Sequence, residues 1–146
     1  MSLIIAVDFD GTIVDHENMV HNYPQLGKPV PYAIEYLKTF QDLDAKIILW
    51  TMRSEVMNGD NHIDIAVDYL TNNGIRLHGI NRNPDQHWTI SPKVHADIII
   101  DDVAFGCPLI HYEGFVRPCV DWCKVGPSIV RRLKDQKRLI EKYPCL

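Results

Sequence analysis

The sequence predicts an α/β fold, a three-layer sandwich around a parallel sheet of about five strands, and two features predict it. Short runs rich in Ile and Val alternate with segments of helical periodicity. Several of those runs end in polar, chemistry-bearing residues, as expected where a parallel sheet presents its carboxyl ends to a ligand. The length of 146 residues suits one domain spanning 1–146. No repeat, linker or low-complexity tract interrupts it.

The first strand is Leu3 to Asp8 and the second Ala45 to Trp50. A weaker third covers Ile75 to Ile80, and the fourth, Ala96 to Ile100, runs into Asp101-Asp102. Pro108 to His111 makes a short fifth. The first, second and fourth lack a polar alternating face, which suits strands covered on both sides. Three helices fall between or after them. Tyr32 to Asp42 carries Ala33, Ile34, Leu37 and Phe40, with Pro31 suited to its first turn. His62 to Asn73 carries Ile63, Ala66, Val67 and Leu70, and Gly74 stops it. Pro127 to Lys142 carries Ile129, Val130, Leu133 and Ile140.

Composition excludes several classes of function. Hydrophobic residues make up 46% and charged residues 23%, the balance of a globular chain. No apolar run approaches the roughly 20 residues of a membrane span. Met1-Ser2 leads straight into a strand, so no secretion signal is expected. A formal charge of −4 argues against general nucleic-acid binding. Cys107, Cys119, Cys123 and Cys145 form no Cys-x-x-Cys pair and read as reduced thiols in a cytoplasmic protein. The basic set Arg131, Arg132, Lys134, Lys137, Arg138 and Lys142 reads as the solvated face of the last helix or as a surface for an anionic partner.

The chemistry concentrates in four places. Asp8-Phe9-Asp10-Gly11-Thr12 follows the first strand, Thr51 ends the second, Lys93 lies eight residues before Asp101, and Asp101-Asp102 closes the fourth. Asp8 suits attack on phosphorus, and Asp10 suits proton transfer to the leaving oxygen and from the attacking water. Asp8, Asp10, Asp101 and Asp102 together offer hard oxygen ligands for Mg²⁺. Gly11 lets the backbone approach a phosphate closely, beside Thr12. The Thr51 hydroxyl and the Lys93 ammonium suit phosphate oxygens and transition-state charge.

This set resembles the haloacid dehalogenase-like hydrolase superfamily, whose phosphatases carry D-x-D-G-T, a strand-end Thr or Ser, a Lys and a final acidic pair. All four motifs stand here in the family's order between Asp8 and Asp102. Aspartate at position 10 is similar to the phosphatase branch. The resemblance implies a Rossmann-like core and a Mg²⁺-dependent phosphatase acting through an aspartyl-phosphate on a phosphomonoester. In the family the lysine often sits on a helix, whereas Pro92-Lys93 lies in a short connection here. Substrate selectivity in the superfamily generally resides in cap insertions. The fifteen residues from Val14 to Lys28 suffice for a flap, and the twelve from Asn81 to Pro92 are too few for a cap domain. A capless or minimally capped member is therefore expected, with a flap over about 14–28 that is turn-rich through Pro24, Gly27 and Pro29.

Rival readings remain at this stage. Response-regulator receivers also gather acids, Thr and Lys around a parallel sheet, but they need an Asp after the third strand, where this chain has Asn81-Arg82-Asn83. A non-catalytic phosphate- or nucleotide-binding module, or a phosphotransferase, would share the same residues. Arg53 reads either as a clamp for a substrate phosphate or carboxylate or as a surface arginine of the following loop. Asn81, Arg82 and Asn83 read as rim residues or as a polar turn. No histidine takes a role, and Trp50, Trp88 and Trp122 read as core or rim. A small phosphorylated substrate is the expected partner; a macromolecular one, or a second copy closing the site, stays open.

Overall fold

The computed structural model describes residues 2–16, 26–54 and 62–142, with the backbone pairing of 19–20 and 23–24. In chain order the elements are β1 (Ile4–Val7), β2 (Met19–Val20), β3 (Tyr23–Pro24), α1 (Ala33–Asp42), β4 (Lys46–Leu49), α2 (His62–Asn72), β5 (Leu77–Ile80), β6 (Ile98–Ile100), β7 (Leu109–Ile110), β8 (Cys119–Val120) and α3 (Trp122–Lys142). The fold is α/β. Its main sheet is parallel and four-stranded, in the order β5-β4-β1-β6.

The register aligns the carboxyl ends. Val7 pairs with both Leu49 and Ile100, and Leu49 pairs with Ile80. The ladder runs one residue further, because Asp8 N–H donates to the Ile100 carbonyl, Trp50 N–H to that of Val7, and Asn81 N–H to that of Leu49. Asp8, Trp50 and Asn81 thus stand side by side at the tips of three adjacent strands, spaced by the roughly 4.8 Å between neighbours.

Alternation divides the sheet's apolar residues between two clusters. Ile5, Val7, Ile47 and Leu49 join the large core together with Leu37 and Phe40 of α1, Ala66 and Leu70 of α2, and Trp122, Ile129 and Leu133 of α3. Ile4 and Ile48 join a small one with Val94, Trp50 and Ala96. The buried residues of all three helices therefore belong to one cluster. Crossovers β1-α1-β4-α2-β5 of one hand, by rule the right, put α1 and α2 on one face. The other face is met by the segment 81–97, which contains no helix. Buried Asn83 ties that segment together, accepting from Asp85 N–H (2.9 Å) and donating to the His95 carbonyl (3.0 Å).

Two expectations need correction. The run Pro108 to His111 is not a fifth strand of the sheet; Leu109 and Ile110 pair antiparallel with Val120 and Cys119 in a separate ribbon. The last helix begins at Trp122, not Pro127, and Pro127 lies inside it. Asp121 starts it, its carboxylate accepting from Cys123 N–H (3.1 Å) while its carbonyl accepts from Lys124 and Val125. The first helix begins at Ala33, and Tyr32, with φ 68°, stands at its N-cap. The flap contains the antiparallel pair β2–β3; the side chains of 17–25 and residue Cys145 lie outside the described residues. No described helix is long and apolar enough to cross a membrane.

Trp122 links the last helix to the first turn. Its ring is fully buried among Tyr36 and Phe40, with centroids at 6.4 and 6.3 Å, and its Nε1–H donates to the Thr12 carbonyl at 2.7 Å. Trp122→Phe keeps most of the bulk and removes the donor. It should lower stability by about 1–3 kcal/mol, read as a reduced urea midpoint at unchanged slope by far-ultraviolet circular dichroism.

Candidate active site

The turn after β1 is wound tightly enough to aim its side chains. Ile13 and Val14 N–H both donate to the Phe9 carbonyl (2.8 and 3.1 Å), and Gly11 takes φ 79°. Val120 N–H of β8 donates to the Gly11 carbonyl at 3.0 Å, holding the turn from outside. Fully buried Asp15 then accepts from Val116 N–H (3.0 Å) and gives its own N–H to the Lys28 carbonyl (2.7 Å).

Three carboxylates converge at the strand tips. One oxygen each from Asp8, Asp101 and Asp102 lie within 4.8 Å of one another. Burial pushes the Asp8 carboxyl up to about 7; the Phe9 backbone N–H works against this, and the charges of Asp101, Asp102 and Asp10 add to it. Thr12, fully buried, places its hydroxyl 3.5 Å from Asp8 Oδ2. Asp101 Oδ1 accepts from Val103 N–H at 2.9 Å, a local turn that fixes its orientation.

Asp10 faces elsewhere. Arg53 Nε and Nη2 donate to its two oxygens at 2.8 and 2.7 Å, a bidentate pair. The Arg53 side chain is only 3% exposed, against 31% for Asp10, and its guanidinium lies 4.8 Å from the Phe9 ring centroid. Arg53 is thus not the surface arginine that was one of the two sequence readings; it is buried and holds Asp10. Thr51 makes the turn that sends Arg53 inward. Its hydroxyl oxygen accepts from Arg53 N–H (3.1 Å), leaving the O–H to donate, and its own N–H donates to Asn81 Oδ1 (2.8 Å).

Lys93 does not join this group. Its side chain is exposed and makes no ion pair among the described residues, while its backbone is held by Ser91 and Gln86. Beside Asn81 the segment 81–94 forms a cleft of about 440 Å³, lined by Arg82, His87 and Ile90 among others. Asn81 therefore has a definite job at the rim, whereas Asn83 is structural.

The sequence reading passed over His16, whose Nε2 lies 2.8 Å from Asp102 Oδ2. The hydrogen bond to Asp102 raises the His16 pKa above its ordinary value, against the effect of burial. It also passed over Asp15, although an acid after the apolar pair Ile13-Val14 was a visible signal. Among the cysteines, burial pushes the Cys119 thiol up to about 12 beside Asp15, so it is held as an unreactive thiol.

Comparison with known proteins adds one relationship. No family model matches the chain, and no curated protein does. The solved structure of a conserved protein coded by a locus from Bacteroides thetaiotaomicron is similar, at 31% identity and a TM-score of 0.64. The match covers 90% of this chain and 93% of that one. The chain belongs to the family of that conserved protein.

The Asp8 carboxyl has a consequence for metal-free stability. Folded Asp8 keeps its proton to about pH 7, against 3.8 for an ordinary aspartate carboxyl. Between those values the native state binds more protons than the unfolded one, so stability falls as pH rises through that window. Asp8→Asn removes the effect. In EDTA the variant should be more stable than wild type at pH 8, on the order of 3–4 kcal/mol, with the gap closing toward pH 4. Thermal unfolding at the two pH values checks this, and a constant gap would count against the buried charge.

Proposed function

We propose that this chain is a Mg²⁺-dependent phosphatase of the haloacid dehalogenase-like superfamily. It would hydrolyse a phosphomonoester through an aspartyl-phosphate formed on Asp8. The observation that carries the reading is the convergence of Asp8, Asp101 and Asp102 at adjacent strand tips, with Asp10 held one turn away by Arg53. The Rossmann-like reading of the fold belongs to the same proposal.

The donor set fits the cation. Three hard oxygen donors of like charge within 4.8 Å, one of them buried enough to resist ionisation, make a place where a divalent ion relieves repulsion. Asp8 and Asp101 would hold it, with the Asp10 backbone carbonyl, and Asp102 would support them. Bound Mg²⁺ would neutralise phosphate charge that otherwise opposes an anionic nucleophile.

The remaining steps fall to the chain. Asp8 attacks phosphorus and the ester oxygen leaves, taking a proton from Asp10, which must first part from the Arg53 guanidinium and take up that proton. Water, giving its proton to Asp10, then attacks the phosphoryl group, releasing phosphate and restoring Asp8. Thr12, the Thr51 O–H and the backbone at Gly11 face the phosphate. Lys93 would turn in from its exposed position to meet the phosphate oxygens. The 440 Å³ cleft beside Asn81 is of a size for the alcohol part of a small substrate. Without a cap domain, a macromolecular substrate or a second copy over the rim is also compatible, and a cytoplasmic setting suits the reduced cysteines.

Mg²⁺-dependent turnover of p-nitrophenyl phosphate tests the reading. Asp8→Asn should lose several orders of magnitude in kcat. Binding of phosphate without any turnover would instead favour a non-catalytic module, and phosphate appearing on an added alcohol would favour a phosphotransferase.

Asp10→Asn should slow esters of poor leaving groups by roughly 10²–10⁴-fold and p-nitrophenyl phosphate much less. Equal losses across a leaving-group series would remove Asp10 from the proton-transfer role.

A further inference from the structure

His16 is placed with care that the catalytic motif does not explain. The residue before it, Asp15, is fully buried and anchored to Val116 and Lys28, which fixes where the backbone delivers the ring. The ring then lies over Gly11. A Cβ built on Gly11 would run into His16 Nε2 and into the Asp102 carboxylate, so the absent side chain is the space through which this pair meets. His16 and Asp102 side chains are 20% and 11% exposed, and Nε2 lies 2.8 Å from Oδ2.

Asp102, as a carboxylate, only accepts, which assigns the hydrogen to Nε2. One oxygen of Asp102 is thereby fixed, and the rotation that would carry the carboxylate away from Asp8 and Asp101 is opposed. Asp101 is held by a backbone N–H. Asp102 instead has a partner from 86 residues away.

We propose that His16 is a positioning residue of the cation site, holding Asp102 through Nε2–H in the rotamer that supports the ion. This rests on the Mg²⁺-dependent reading above. Hydrogen-bond partners of metal-site ligands set ligand orientation, and their loss typically weakens binding about 10–100-fold. Gly11 acquires a second reason to be glycine, since it leaves room for the pair as well as for a phosphate.

The test uses Mn²⁺ titrated into the full chain, with free ion followed by electron paramagnetic resonance. Asp101→Ala should abolish tight binding. His16→Ala should weaken it about 10–100-fold, and His16→Gln, whose amide nitrogen can stand in for Nε2, should restore most of it. Tight binding by wild type that Asp101→Ala leaves unchanged, or no binding by wild type, would overturn the cation reading and this inference with it. Loss in Asp101→Ala but unchanged or tighter binding in His16→Ala would overturn the His16 assignment alone. So would a Gln variant as weak as Ala. If His16→Ala does not fold, nitrogen-15 spectra of the wild-type imidazole decide. Hydrogen on Nε2 with and without Mg²⁺ is expected; a bare Nε2 in the Mg²⁺-loaded protein would overturn the assignment.

Discussion

Three carboxylates converge at the strand tips of one parallel sheet with a fourth one turn away, and much of the surrounding structure is arranged around their repulsion. Asp10 is neutralised by a guanidinium that the fold buries for the purpose. Asp102 is met by an imidazole, and Asp101 by a backbone N–H. Among the described residues Asp8 has no such cation beside it, and burial makes it resist ionisation. A partly buried acid without a counter-charge is costly to any fold. A divalent ion, as proposed above, would complete the balance.

The scaffold that brings these groups together is mostly backbone. The register of β1 against β4 and β6 puts Asp8 and Asp101 on neighbouring tips before any side chain is considered. Side chains then secure the turn itself. Trp122 and Asp15 grip it from the core, and β8 grips it from the flank through Val120. Rigid support of this kind is what the proposed displacement at Asp8 would need.

What was legible in the sequence follows from what each feature depends on. The strands at Ile4–Val7 and Lys46–Leu49 were readable because burial on both faces leaves continuous Ile and Val. Asp8 and Asp101 were readable because strand tips follow from strand positions. The run Leu109–Ile110 had strand composition, yet composition does not name a partner, and both residues ended exposed in a ribbon with Cys119–Val120. Pro127 looked like the first turn of a helix that Asp121 in fact starts one turn and a half earlier. Arg53 could not be assigned without knowing that Thr51 turns it inward, nor His16 without knowing that it meets a residue far along the chain.

The bond from Trp122 to Thr12 spans 110 residues, and β1, one of the two inner strands, pairs with β6, more than 90 residues further along. During synthesis the amino-terminal motif therefore emerges long before the elements that fix it. Local helices such as α1 can form early, but the turn carrying Asp8 and Asp10 acquires its geometry only when the start of α3 has left the ribosome. A nascent or truncated chain would carry the chemical motif without the chemical site, and so would hold its uncompensated acids in water, where they are harmless.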